Sequence, residues 1–201
     1  MRTALLFALL FLLSGCLETE ARLVYQRDGS AELRILAEGE PALLSLLAER
    51  LAAAGFGVRV EGRRVWAKAL LVTRWAGMLP GRWRYEDPSG LVFERVSWFL
   101  GEEVWIAGAF VPLEVAGLPA VFAPVPFRFV VEAPAPPLFT NAPKVEERRL
   151  VWPGRLGDRF VVRARFRLWH PERGLWLLVP VTALVLWRRS RRPRGARNRA
   201  S

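Results

Sequence analysis

Cysteine and histidine are nearly absent from this chain of 201 residues, which contains one of each. One cysteine cannot form an internal disulfide, so a small fold held together by disulfides is excluded. One cysteine with one histidine also falls short of the ligand sets of structural zinc sites. The chain is not poor in apolar residues, since 52% of it is hydrophobic, and this excludes a disordered chain. We therefore expect a folded domain that holds no metal and needs no cofactor.

Residues that could act as catalysts are equally scarce. The one histidine, His170, precedes Pro171, and we interpret it as an interfacial residue beside Trp169 rather than as a general base. No G-x-S-x-G motif surrounds any serine. Glu102 and Glu103 are adjacent on a predicted strand and so point to opposite faces, which indicates turn or edge charges. The sequence predicts that the protein is not an enzyme.

Positive charge is concentrated at the ends of the chain. There are 30 lysines and arginines against 19 acidic residues, which gives a net charge of +11. Without Arg2 and seven arginines near the C-terminus the rest of the chain is nearly balanced. The seven are Arg188, Arg189, Arg191, Arg192, Arg194, Arg197 and Arg199. Because this cluster directly follows an apolar run, we expect it to contact anionic lipid headgroups and not nucleic acid.

The first sixteen residues have the pattern of a bacterial export signal. A charged residue at position 2 is followed by the apolar run Ala4–Leu13, which is too short to span a bilayer. The run ends in Leu13, Ser14, Gly15 and Cys16, which resemble the lipobox of bacterial lipoproteins. The resemblance implies cleavage of a signal peptide over residues 1–15 and a diacylglycerol anchor on Cys16. The alternatives are an ordinary secretory signal, or an apolar helix with a chance cysteine.

A second apolar run lies near the C-terminus, over Gly174–Trp187. As a helix this run would measure about 21 Å, which is less than the roughly 30 Å hydrocarbon core of a bilayer. Tryptophans and arginines flank the run, as is typical of membrane interfaces. These features predict a transmembrane helix over residues 173–188 and a basic cytoplasmic tail over 189–201. The alternative is a buried C-terminal strand or core helix followed by a solvated tail.

Between the two ends, residues 16–172 form the predicted extracytoplasmic domain. Asp28 and Gly29 indicate a hairpin turn, and Pro41 opens a helical pattern of leucines that Gly55 closes. Most other segments are predicted as strands, most clearly Arg159–Trp169, where apolar residues alternate with arginines. The pattern predicts an α+β fold with a largely antiparallel β-sheet and one amphipathic helix, in addition to the C-terminal transmembrane helix.

The stretch Val104–Phe127 contains a single charged residue, Glu114, and is broken by several prolines and glycines. It predicts either core strands joined by apolar loops or a lip that contacts lipid. The candidate lipid-contact residues are Val104, Trp105, Phe110, Leu113, Leu118, Phe122 and Phe127.

The order of features along the chain resembles the LppM-like family of bacterial membrane-anchored lipoproteins. These features are the lipobox ending at Cys16, the Asp28–Gly29 hairpin, the helix ending near Gly55, Thr140-Asn141-Ala142 followed by Leu150-Val151-Trp152, and the C-terminal apolar run with its basic tail. The resemblance implies an extracytoplasmic α+β domain with an apolar cavity for envelope lipids or glycolipids, and no established enzymatic activity. Pro153 and Gly154 directly after Trp152 depart from the family pattern, and no ligand residue carries over.

The sequence therefore favours a lipoprotein at the cell membrane, with its domain outside and its basic tail in the cytoplasm. We expect the domain to bind a membrane lipid, an envelope lipid or glycolipid, or another amphiphile. The alternative is a non-catalytic scaffold in which Arg163, Arg165 and Arg167 present a charged sheet face to an envelope protein. A ligand-sized apolar cavity would favour the first role, and a packed core with an exposed apolar patch would favour the second.

Overall fold

The computed structural model of the chain describes residues 17–72, 80–171, 174 and 182–187. The predicted signal peptide over 1–15, the lipobox with Cys16, and the predicted tail over 189–201 lie outside the described residues, as do most positions of the predicted span over 173–188.

The described part of the chain forms twelve strands. They are β1 (Glu18–Tyr25), β2 (Ala31–Glu38), β3 (Gly57–Glu61), β4 (Arg64–Val72), β5 (Gly81–Glu86), β6 (Leu91–Trp98), β7 (Gly101–Phe110), β8 (Pro126–Glu132), β9 (Pro137–Thr140), β10 (Lys144–Glu146), β11 (Arg149–Arg155) and β12 (Phe160–Trp169). The helices are α1 (Pro41–Ala53), the short α2 (Pro112–Val115) and a 3-10 turn (Ala120–Phe122), and residues 182–187 are also helical.

The strands form two sheets. The seven-stranded sheet has the order β10-β11-β8-β1-β2-β4-β3, and the five-stranded sheet has the order β5-β6-β7-β12-β9. Adjacent strands are antiparallel except for β1 and β8, which are parallel. β1 therefore lies in the interior of its sheet, between β2, which follows it in sequence, and β8, which begins about a hundred residues later.

Aromatic side chains pack between the two sheets. The rings of Phe110, from β7, and Phe129, from β8, have centroids 4.6 Å apart, and those of Phe127 and Phe160 are 5.3 Å apart. These contacts join the inner faces of both sheets into one hydrophobic core. The alternation of apolar residues with arginines along β12 matches this packing, because every second residue from Phe160 to Leu168 is buried between the sheets.

Helix α1 packs its buried leucines into the same hydrophobic core. Proline at its first position fits the helix start, since proline has no N–H to leave unbonded. Leu44, Leu47 and Leu51 recur at helical spacing and are buried. Gly55 follows the helix with a φ of 88°, a conformation that favours glycine.

The hairpin between β1 and β2 is fixed by its own side chains. The Asp28 carboxylate accepts hydrogen bonds from the Ser30 N–H at 3.0 Å and from the Ser30 hydroxyl at 2.7 Å. Gly29 adopts a φ of 86° in the turn. The turn expected at Asp28 and Gly29 is thus confirmed.

The domain has two distinct ends. Thr19 at the start of β1 lies beside Phe127, whose ring lies 6.4 Å from that of Phe110 at the end of β7. Tyr25 at the other end of β1 lies near Glu102, and there β12 ends at Trp169 and His170. Strands of eight to ten residues separate these ends by about 30 Å. The chain therefore enters the domain at the Thr19 end and leaves it at the His170 end.

The predicted fold class was wrong. The domain is mostly β-sheet rather than α+β, and α1 is the one helix of more than one turn within the described residues 17–72 and 80–171. Among the described residues no helix is both long and apolar enough to cross a membrane, so the predicted C-terminal transmembrane helix is not among the described elements. That prediction relied on flanking tryptophans and arginines, whereas the apolar run itself is shorter than the hydrocarbon core.

Candidate functional site

A groove of about 430 Å³ opens at the Thr19 end of the seven-stranded sheet. This volume is within the usual range of small-molecule sites. The groove is formed where β1, β2, β8 and β11 meet, and Glu18, Glu20, Glu38 and Arg128 are among its lining residues. Three carboxylates against one guanidinium make its lining acidic.

Register and ion pairs position the acidic side chains. Glu18 and Glu38 are directly opposite each other on β1 and β2. Glu20 accepts a hydrogen bond from Arg22 at 2.7 Å and lies 3.4 Å from an Arg128 nitrogen. Glu38 pairs with Arg64, whereas Glu18 has no ion pair within the described part of the chain. Glu18 is therefore the groove carboxylate most available to a ligand.

A small apolar cavity lies beside the groove, deeper between the sheets. Its walls come from β1 and β2, from Leu47 and Leu51 of α1, and from the segment that follows Phe110. The cavity measures about 20 Å³, which is about the space of one water molecule. The core is thus closely packed here, and an acyl chain could enter only if part of the wall moved.

Thr19 and Phe127 line both the groove and the cavity. The Thr19 hydroxyl donates a 2.9 Å hydrogen bond to the Pro126 carbonyl, and this bond fixes the start of β8 beside the start of β1. A polar compartment and an apolar compartment therefore meet at one boundary. Such an arrangement matches the two parts of an amphiphile.

The structure brings some of the predicted lipid-contact residues together and separates others. Phe110, Leu118 and Phe127 line the cavity. Val104 and Phe122 are buried elsewhere in the core, and Leu113 is half-buried against it. Trp105 lies apart from the rest on the outer face of the five-stranded sheet, 39% exposed. Lipid contact at these residues stays a prediction, and for the buried ones it would have to occur inside the domain.

Sequence reasoning missed a buried ion cluster at the His170 end. Glu102 is completely buried on the inner face of β7, where it forms a salt bridge with Arg95 of β6. His170 Nε2 lies 3.6 Å from the same carboxylate, and the Tyr25 side chain is close by. Burial raises the pKa of the Tyr25 phenol well above its ordinary value, and the nearby Glu102 carboxylate raises it further.

Two sequence-based interpretations were wrong at this cluster. Glu102 was taken as a turn or edge charge, and His170 as an interfacial residue, whereas both are buried. The burial of Glu102 could have been predicted from the alternation of side chains along β7, because Glu102 lies on the same face of the strand as Val104 and Ile106. The cluster holds one carboxylate already paired with a guanidinium, which is a structural arrangement rather than a pair of acid and base groups.

Glu103 points outward from the same strand and organises a second group of charges. It accepts hydrogen bonds from Arg165 at 2.5 Å and from the Trp105 indole at 3.0 Å, and Arg167 lies 3.3 Å away. The Arg165 guanidinium also stacks 4.4 Å from the centre of the Trp105 ring. Partial burial raises the pKa of Glu103, but hydrogen bonds from Arg165 and Arg167 outweigh this effect and hold it below its ordinary value.

No three His, Cys, Asp or Glu side chains lie close enough to hold a metal ion among the residues that the structure describes. The groove and the cavity are therefore the candidate binding site, with Glu18, Thr19, Arg128 and Phe127 at its centre.

Comparison with known proteins gives one distant structural likeness. No protein-family model matches the chain, and no curated protein matches it. The folded domain of the LppM protein of Mycobacterium tuberculosis is similar in structure, with a TM-score of 0.41 and 13% sequence identity over 79% of this chain and 93% of that domain. At these values the likeness carries no conclusion about binding or location, and membership of the LppM-like family stays a prediction.

Proposed function

We propose that this chain is a bacterial envelope lipoprotein, acylated at Cys16, whose domain binds one amphiphile at the membrane face and catalyses no reaction. The observation that carries this proposal is the shared boundary of groove and cavity at Thr19 and Phe127. The headgroup occupies the groove, and the apolar tail extends toward the cavity.

The position of the site in the chain supports a membrane-facing role. Glu18 and Thr19 line the groove and follow Cys16 by two and three residues. An extended chain spans at most about 3.5 Å per residue, so an acylated Cys16 would hold the groove within about 10 Å of the lipid headgroups. A lipid leaving the bilayer could enter the groove from there.

The lining of the groove favours particular headgroups. Three carboxylates and one guanidinium repel a phosphate that carries no compensating cation. An uncharged polyol, such as a sugar, or an amine is the better match, because carboxylates accept hydrogen bonds from both. An envelope glycolipid therefore fits this lining better than an acidic phospholipid does.

Binding of the tail requires a change of shape. The cavity is far below the 300 Å³ or more of typical ligand sites. Leu47 and Leu51 reach it from α1, which is connected to the sheets by short loops. Outward movement of α1 opens the cavity while both sheets keep their hydrogen bonds.

The test is lipid analysis of the full chain purified in mild detergent from bacterial membranes, with native mass spectrometry of the complex. Wild-type protein should retain about one lipid molecule. Ala116→Leu fills the cavity and should lower retention by about tenfold, equivalent to about 1.4 kcal/mol. Ala133→Leu, an equally buried position away from the cavity, is the matched control and should retain lipid as the wild type does. Absence of any retained lipid from the wild type would contradict the proposal.

The second candidate is a non-catalytic interaction module for an envelope protein. It is favoured by the small cavity and by the exposed Trp66 and Leu70 on the outward side of β4. If this role is correct, Trp66→Ser with Leu70→Ser should abolish crosslinking to one specific envelope protein, while Ala116→Leu should leave that crosslinking unchanged.

A further inference from the structure

The outer face of the five-stranded sheet carries five arginines on two of its strands. They are Arg82 and Arg84 of β5, which alternate with half-buried residues, and Arg163, Arg165 and Arg167 of β12, which alternate with buried ones, and all five point away from the core. We call this surface the arginine face. Glu86, Glu94 and Glu103 lie on it as well, so its net charge is positive.

Two of the five arginines are not engaged by acids. Glu94 pairs with Arg82, and Glu103 binds both Arg165 and Arg167. Arg84 and Arg163 have no ion pair within the described residues, and both side chains are exposed. The backbone at Arg163 is fixed independently, since its N–H donates to the Asn141 side chain at 2.8 Å. The face therefore presents free guanidinium groups from a rigid sheet.

Exposed aromatic side chains accompany these charges. Trp105 lies under the Arg165 guanidinium, and Trp169, 61% exposed, continues the outward row of β12. Trp98 packs edge-on against Trp169 with centroids 6.2 Å apart. Phe99 and Leu100 are exposed at the adjoining tip of the β6–β7 hairpin. The face thus combines guanidinium groups, indole rings and an apolar tip.

This combination matches the interfacial region of a bilayer. Guanidinium groups bind phosphate oxygens through paired hydrogen bonds. Tryptophan rings concentrate at headgroup depth, and long arginine side chains keep their charge in water while their stems cover apolar surface. Phe99 and Leu100 at the hairpin tip supply apolar surface for shallow insertion.

We propose that the arginine face docks flat on an anionic phospholipid bilayer, with Arg84 and Arg163 binding lipid phosphates and Trp105 and Trp169 at headgroup depth. This orientation does not depend on whether the groove holds a ligand. It places the strands along the membrane surface and turns the seven-stranded sheet away from it, so it is a second orientation, distinct from the one in which an acylated Cys16 holds the groove at the headgroups.

The experiment measures which face touches the bilayer, because the apolar ends of the full chain can hold it on vesicles whichever way the domain turns. Cys16→Ser removes the only thiol of the chain. A single bimane label is then placed at Val161→Cys on the arginine face or at Leu70→Cys on the outer side of the other sheet. The vesicles contain phosphatidylcholine and phosphatidylglycerol with a nitroxide-headgroup lipid, which quenches nearby labels.

Quenching at position 161 should exceed that at position 70 by at least about fivefold, and should fall to a similar extent in vesicles of phosphatidylcholine alone. Arg84→Glu with Arg163→Glu should remove the excess. Arg50→Glu with Arg148→Glu makes the same change of net charge at exposed sites away from the face and should leave it unchanged. Unchanged near-ultraviolet circular dichroism shows that both double variants are folded.

Three outcomes would overturn the proposal. Equal quenching at both positions would show no preferred face. Quenching that persists in phosphatidylcholine alone would exclude recognition of anionic headgroups. A label at position 161 that stays unquenched on anionic vesicles would show that the arginine face does not contact the bilayer. An acidic protein would then be the better candidate partner for this face. None of these three outcomes depends on whether Ala116→Leu retains lipid. The two experiments therefore test ligand binding in the groove and membrane docking of the arginine face separately.

Discussion

Replacing Arg95 by methionine gives the sharpest test of the buried ion cluster. The salt bridge of Arg95 with Glu102 is sealed from water, since the two side chains are 4% and 0% exposed. Removing the cation leaves a desolvated carboxylate with the His170 ring 3.6 Å away. Breaking one partner of such a pair costs about 3–5 kcal/mol. We expect Arg95→Met to lower the free energy of unfolding by this amount at pH 7.

Urea unfolding of the full chain in mild detergent, followed by circular dichroism, measures the loss. With a slope of about 2 kcal/mol per molar urea, the midpoint should move by about 1.5–2.5 M. Arg82→Met is the matched control, because it breaks a pair with Glu94 on the exposed side of the same sheet. That change should cost at most about 1 kcal/mol. Equal losses in the two variants would refute the reasoning.

Two further predictions concern other parts of the five-stranded sheet. Gly108 has a φ of 146°, and an added Cβ would lie 2.2 Å from the Gly90 carbonyl oxygen, so Gly108→Ala should destabilise the domain by about 1–3 kcal/mol in the same urea assay. An equally stable variant would contradict the register of β6 and β7. Because the pKa of Glu103 is held below its ordinary value of 4.5, the stability that this carboxylate contributes is present above pH 4.5 and is lost as the pH falls further. Glu103→Gln should therefore be less stable than the wild type at neutral pH and equal to it in acid, whereas a difference that is the same at every pH would show that the ionised carboxylate is unimportant.

The elements that could be predicted from sequence are those set by neighbouring residues. The hairpin at Asp28 and Gly29, helix α1 after Pro41, and the alternating strand β12 each depend on local turn chemistry or periodicity. The parallel pairing of β1 with β8 could not be predicted, because it joins residues more than a hundred positions apart and no local pattern specifies it.

The candidate site depends on that same long-range pairing. Thr19 and Phe127 become neighbours only through the register of β1 with β8, so neither residue shows on its own that a groove and a cavity meet there. Phe110, Leu118 and Phe127 could be selected from their apolar stretch, but the stretch alone does not distinguish a lip from a core. The burial of Glu102 could have been predicted from the sequence, because the two-residue period of a strand puts its side chain on the same face as that of Val104.

The interior position of β1 has a mechanical consequence. A pull on the chain at its N-terminal end acts along the strand axis, against β2 on one side and β8 on the other. Eight paired residues on the first side and six on the second then carry the load together, in shear, rather than opening one bond at a time. The domain should resist force applied at that end far better than force that peels an edge strand such as β5 away from β6. A protein held by its first residues would thus be held at a strand that resists the load on both of its edges.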